Sequence, residues 1–139
     1  MKTKILNWLS YITIALAFGL IGLLFYWYLK PYNPLELSNV TLDRVEVNRG
    51  EHIKISADYC KNVNLSAGLY ISFIDGVIYN TPPQVIELES GYHHTVLSVY
   101  IPRALPTGKY MIKGIFRYKV NPIRTIDVNH LSAEFNILK

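Results

Sequence analysis

The sequence predicts an all-β domain, an antiparallel β-sandwich of about seven short strands, preceded by one N-terminal transmembrane α-helix. Three observations carry this expectation. Residues 5–29 contain no charge, and at about 1.5 Å per residue a helix of that length exceeds the roughly 30 Å hydrocarbon core of a bilayer. From about residue 40 the apolar residues recur with period two, as they do in half-buried strands. Turn-forming pairs separate these runs, and no amphipathic helical pattern interrupts them.

The helix comes first. Within 5–29 the stretch 12–24 is strongly apolar. Trp8 and Tyr11 lie near one end, and Phe25, Tyr26, Trp27 and Tyr28 at the other, which matches rings placed at two headgroup layers. A cleaved secretory signal has a shorter apolar core and small residues before the cut; here the C-terminal end is bulky, so a retained anchor is expected. Lys2 and Lys4 precede the helix and Lys30 alone follows closely. This charge pattern puts the stub, residues 1–4, in the cytoplasm and the C-terminal part outside, in the periplasm if the cell is Gram-negative. Ala15, Gly19 and Gly22 share one helix face, a candidate surface for close helix–helix approach and a homodimer.

Pro31 and Pro34 stop the helix, because each lacks an N–H and biases its predecessor toward extended backbone. Residues 30–38 read as a short juxtamembrane linker that keeps the domain, 39–139, near the bilayer. The strands follow in order. "NVTLDRVEV" is a first strand whose phase slips near Asp43 and Arg44, suggesting a bulge. "HIKISADYC" turns Ile53, Ile55, Ala57 and Tyr59 to one face. "GLYISFI" does so with Leu69, Ile71 and Phe73, and "HTVLSVYI" with Thr95, Leu97, Val99 and Ile101. "KYMIKGIFRYKV" places Tyr110, Ile112, Phe116, Tyr118 and Val120 in a row with Gly114 among them. The last strand uses Leu131, Ala133, Phe135 and Ile137. Between the runs, Asp75-Gly76 signals a type I′ hairpin, and "NRGE", "SGYH", "PRALPTG" and "VNPI" supply further turns.

"LPTGKY", residues 105–110, resembles the approach to the penultimate strand of immunoglobulin-like and fibronectin-like domains. The resemblance implies that Tyr110, at the strand start, hydrogen-bonds back into the preceding loop, the tyrosine corner. The Cys…Trp…Cys spacing of antibody domains is absent, since both tryptophans lie in the anchor. The combination of short stub, single anchor, immunoglobulin-like sandwich and "YKVNPIRTI" is also similar to small uncharacterised membrane proteins of tailed phages. That resemblance implies a phage-encoded protein at the host envelope or in a virion, and brings no activity with it.

Charge and chemistry narrow the function classes. The formal charge of +4 comes largely from the three lysines flanking the helix. The remaining 11 basic residues face 10 acidic ones, leaving no general field for a polyanion, so no nucleic acid is expected. The single cysteine excludes an internal disulfide framework. Cys60 faces away from the core by parity, either as an intermolecular thiol or as an inert cysteine under a loop. His52, His93, His94 and His130 match no ligand spacing, and His93 and His94 point to opposite faces of a strand. No G-x-S-x-G is present, and Glu87 and Glu89 imply no cleft. Neither enzyme activity nor a cofactor or metal is expected.

The strongest surface feature lies on the penultimate strand. Its outward positions are Lys109, Met111, Lys113, Ile115, Arg117 and Lys119, and Arg124 stands nearby. This row is either a contact surface for anionic lipid or an acidic partner, or a set of cations that keeps an edge strand from pairing. Arg124 is either a binding tip or the partner of Asp127. Asn39 and Asn64 open two glycosylation-type triplets. The expected role is a membrane-anchored, extracytoplasmic binding or assembly module with the bilayer and a membrane or envelope protein as partners. The alternatives are a tethered envelope enzyme or metal-binding protein, and a secreted domain with a cleaved signal.

Overall fold

The computed structural model describes residues 2–139, with side chains from residue 8 onward; those of Lys2 and Lys4, in the expected stub 1–4, lie outside the described residues. The chain is mostly β, with one N-terminal helix, and divides into two compact units. Residues 1–32 with 121–124 form the first, and 33–120 with 125–139 the second.

In the first unit, α1 (Lys2–Leu29) is one uninterrupted helix. Its segment Trp8–Leu29 is long and apolar enough to cross a membrane, and none of it is buried inside the protein. Ala15, Gly19 and Gly22 are all exposed. The helix end is capped by side chains of the 121–124 turn. Asn121 Nδ2 donates to Trp27 O at 3.1 Å, and Arg124 Nη1 donates to Tyr28 O at 2.9 Å and to Lys30 O. These carbonyls lack intrahelical partners, and a cation there also meets the negative end of the helix dipole. Arg124 therefore does not pair with Asp127.

The second unit holds ten strands where about seven were expected. They are β1 (Leu35–Leu42), β2 (Glu46–Asn48), β3 (His52–Lys61), β4 (Ala67–Ile74), β5 (Ile78–Asn80), β6 (Gln84–Ile86), β7 (Gly91–Tyr100), β8 (Gly108–Asn121), β9 (Arg124–Leu131) and β10 (Phe135–Leu138). One sheet has the order β1-β3-β7. The other has the order β2-β10-β8-β4-β5, with β6 also on β4 and β9 also on β8. The inner faces meet in a large cluster that joins Ile53 and Val99 of the first sheet to Leu69, Phe73, Ile112, Phe135 and Ile137 of the second.

Alternation places most strands. Ile53, Ala57 and Tyr59 of β3, Leu69, Ile71 and Phe73 of β4, and Tyr110, Ile112 and Tyr118 of β8 are buried on the expected faces. Four expectations need correction. The slip near Asp43 is a change of sheet rather than a bulge. Asp43 Oδ1 accepts the N–H of Lys54 at 2.9 Å, and three residues on the chain is β2, parallel to β10. That pair makes the fold not wholly antiparallel. The bulge lies earlier, between Ser38 and Thr41, where Asn39 adopts φ 50°. The first strand begins at Leu35, inside the segment 30–38 expected as linker. The last strand is two: at Ser132 the chain leaves one register, and Leu131 is exposed while Ile126, Val128 and His130 turn inward. Ser132 bridges the break, its Oγ accepting from Ile112 N at 2.9 Å and donating to Ala133 O at 2.8 Å.

The Asp75-Gly76 turn is a three-residue loop, with Ile74 opposite Ile78. A type I′ turn requires positive φ at both central residues, but Gly76 alone has it, at φ 100°. Asp75 instead spends its carboxylate on Val77 N at 3.1 Å.

Candidate functional site

The outer row of β8 emerges much as its parity suggests, but in a different setting. β8 has neighbours on both sides, pairing β4 from Met111 to Arg117 and β10 from Gly108 to Tyr110. An interior strand has no edge to protect, so its cations do not serve to keep other chains from pairing with it. Lys109, Arg117 and Lys119 are exposed; Met111, Lys113 and Ile115 are half-buried. Across the ladder Ile115 lies beside Tyr70, Lys113 beside Ser72 and Met111 beside Ile74. The face is thus an apolar strip with lysines set into it.

Arg117 is already engaged. Its Nε and Nη2 grip Asp127 at 2.8 and 2.7 Å, and its guanidinium lies 4.9 Å from the Tyr70 ring centre. The bidentate bond raises the Arg117 pKa and holds Asp127 below the usual carboxylate range. The row left free of these bonds is Lys109, Met111, Lys113, Ile115 and Lys119. Arg124 belongs to the helix cap and does not extend the row.

Tyr110 opens β8 and is buried, and its hydroxyl donates to Pro106 O at 3.1 Å, back into the preceding loop. Burial pushes its phenol up to about 12. Tyr118, further along the same inner row, is buried with its hydroxyl lacking a hydrogen-bond partner among the described residues.

Cys60 lies on the outer face of the β1-β3-β7 sheet. It sits on the central strand, with Glu36 on one side and Tyr92 on the other. The thiol is half-buried and reaches Asn62 Oδ1 at 3.5 Å. One rung further, Asp58 accepts Asn39 Nδ2 and His94 Nδ1, each at 2.8 Å. These bonds, the Asn39 one first, hold the Asp58 carboxyl below its usual range. Asn39 is thus already committed to Asp58.

The histidines diverge. His52 stacks obliquely on Tyr100 with ring centres 5.3 Å apart, His93 bonds Ser90 O at 2.9 Å, His94 takes Asp58, and His130 points into the interior. Among the described residues no three His, Cys, Asp or Glu side chains are placed to hold a metal ion.

Sequence reasoning missed the interior itself. The buried residues form two separate clusters. The larger includes Ile53, Phe73, Val99, Ile112 and Ile137; the smaller is Leu35, Tyr59, Ala67 and Tyr118. Between them an apolar cavity is lined from both sheets. Ile55, Ala57 and Leu97 line it on one side, Gly114 and Phe116 on the other, with His130 and Ser132 among the few polar contributors.

No family model matches the chain, and no curated protein matches it. The solved structures it is similar to include three unrelated proteins. One is the alkylpurine DNA glycosylase AlkC of Pseudomonas fluorescens, bound to DNA containing an abasic site analog, at 12% identity and TM-score 0.44, with 78% of this chain and 32% of that one covered. Another is Spo0M, a sporulation control protein of Bacillus subtilis, at 10% identity and TM-score 0.46, covering 76% and 50%. The third is a β-glucosidase of Listeria innocua in complex with isofagomine, at 11% identity and TM-score 0.44, covering 78% and 16%. The chain spans half or less of the length of each.

Proposed function

We propose that this chain is a single-pass membrane protein, N-terminus in the cytoplasm, that displays an immunoglobulin-like sandwich outside it as a binding or assembly module. The observation that carries this reading is the Trp8–Leu29 segment, with mean hydropathy 2.1 and none of it buried. An apolar segment of this length with none of it buried needs another apolar environment, and a bilayer supplies it. Aromatic rings at both ends, and capping of the outer end by Arg124 and Asn121, fit a helix that finishes at a headgroup layer. The Tyr110–Pro106 bond and the two facing sheets support the immunoglobulin-like reading. The partner surface we favour is the lysine-and-apolar face of β8, centred on Lys113, Met111 and Ile115, because Arg117 is occupied by Asp127.

Two measurements test this. The intact mass of the chain recovered from membranes should retain residues 1–30; their loss would replace the anchor by a cleaved signal. An Asn64→Cys thiol in a Cys60→Ser background should react with a membrane-impermeant maleimide in intact cells, and protection until lysis would reverse the orientation. For the surface, Lys113→Glu with Lys119→Glu should abolish recovery of the partner under mild detergent, and undiminished recovery would clear this face of the role.

A further inference from the structure

The core is open in its middle. Inward residues near the strand ends are buried: Ile53 and Val99 at one end, Tyr59 and Tyr118 at the other. Of the inward residues further along the strands, Ala57, Leu69, Ile71 and Ile112 are buried, but Ile55, Leu97 and Phe116 are only half-buried. In a close-packed interior this order is inverted, because mid-strand positions lie furthest from solvent. The sequence accounts for the gap by placing small side chains there. Ala57 and Thr95 are register partners on β3 and β7, and Gly114 lies on β8 in the opposing sheet.

Gly114 needs its own explanation. Glycine inside a strand weakens it, and its usual reasons are positive φ, a bulge, or close approach of another group. Gly114 is not among the glycines with positive φ, it keeps an unbroken register opposite Ile71, and a Cβ built on it meets nothing within 4 Å. The remaining reason is an occupant that comes close to the backbone. Room for the centre of a water-sized sphere amounts to about 60 Å³. That is several times the 10–15 Å³ or so that one water needs, and its lining is almost wholly apolar. A space this size, lined mainly by aliphatic and aromatic carbon, admits a thin apolar molecule and gives a polar one too few partners.

We propose that the cavity between the two sheets, floored by Gly114, binds a linear hydrocarbon chain. The inference rests on the membrane-anchor reading for its supply, since an anchored protein has acyl chains at hand as phospholipid or as free fatty acid.

The test uses the full chain in phosphatidylcholine nanodiscs. In one arm the phospholipid carries a diazirine near the end of one acyl chain; in the other a diazirine fatty acid is added to unlabelled nanodiscs. After irradiation and proteolysis, adducts are mapped by mass spectrometry. The expected result is adducts on the Gly114–Phe116 peptide in at least one arm, and the arm identifies the source. Gly114→Leu should cut that signal at least fivefold and leave adducts on the helix unchanged. If Gly114→Leu does not fold, Gly114→Ala, whose methyl enters open space, should cut it about twofold. Adducts confined to the helix in both arms, or cavity adducts indifferent to both variants, would overturn the inference and leave the anchor standing. A helix unlabelled by the phospholipid would instead overturn the anchor, while the fatty-acid arm would still report on the cavity.

Discussion

The two ends of the core and its middle are built from the same strands and packed to different standards. At one end Phe73, Ile53, Ile101 and Ile137 interdigitate without access to solvent; at the middle Ile55, Leu97 and Phe116 stand around a gap. The difference lies in a few side chains. Where β3, β7 and β8 carry isoleucine, valine or tyrosine inward, the sheets close; where they carry Ala57, Thr95 and Gly114, they do not. Packing in this fold is set position by position, and the smallest inward residues mark the place left open.

Alanine substitutions should break or sharpen that contrast most strongly. Phe73→Ala, at a fully buried site, should cost about 3–5 kcal/mol. Phe116→Ala, which enlarges a space already present, should cost roughly 2 kcal/mol or less. Chemical denaturation of both variants checks this, and equal losses would mean that the middle is as closely packed as the end.

How much of this was legible beforehand follows from what period-two alternation can and cannot say. It assigned the inward faces of β3, β4, β7 and β8, because each carries a mostly apolar row at every second position. It also put Ala57 and Gly114 on inward faces, but not opposite sides of one cavity; that requires the strand order, which no local pattern contains. It merged β1 with β2 and β9 with β10, because the chain changes sheet after β1, and breaks its pairing along β8 after β9, without a glycine or proline to mark either step. Asp43 and Ser132 make the changes with side-chain bonds to distant backbone. The outward row of β8 was readable as a list of residues; the Arg117–Asp127 bond that removes one cation from it was not, since the two lie on different strands. "LPTGKY" alone pointed to the backward bond of Tyr110, because there the turn chemistry and the tyrosine are local.

The smaller cluster contains a flaw that a single atom exposes. The buried Tyr118 hydroxyl has no partner among the described residues, and a buried hydroxyl without a protein partner is costly. Tyr118→Phe should therefore stabilise the protein, by about 1 kcal/mol, seen as a higher unfolding midpoint. A loss of stability would mean that the hydroxyl is bonded in solution. A smaller gain, about 0.5–1 kcal/mol, is expected of Gly114→Ala, from reduced freedom of the unfolded chain.

Acid should separate surface from interior. Asp58 and Asp127 are held below the ordinary 3.8 by their bonds to Asn39 and Arg117. Their contribution to stability is present above that ordinary value and lost as pH falls through the folded one. Burial lowers His130 below its ordinary 6.5. The folded state then binds fewer protons than the unfolded one between the two values, and stability falls as pH drops below 6.5 until the folded value is passed. Thermal melts across this range should show the slope, and His130→Gln should flatten it while Asp127→Asn should not.

The open middle is the claim on which the rest depends, and xenon tests it most directly. The full chain, stripped of lipid and held in a fluorinated surfactant whose chains mix poorly with hydrocarbon, with labelled isoleucine, leucine and valine methyls, would be recorded under increasing xenon pressure. The methyls of Leu37, Ile55, Leu97 and Ile112 line the cavity and should shift and saturate, whereas those of Ile53, Ile101 and Ile137 should stay in place. Uniform small shifts across both sets, or none at all, would contradict the cavity and the inference built on it.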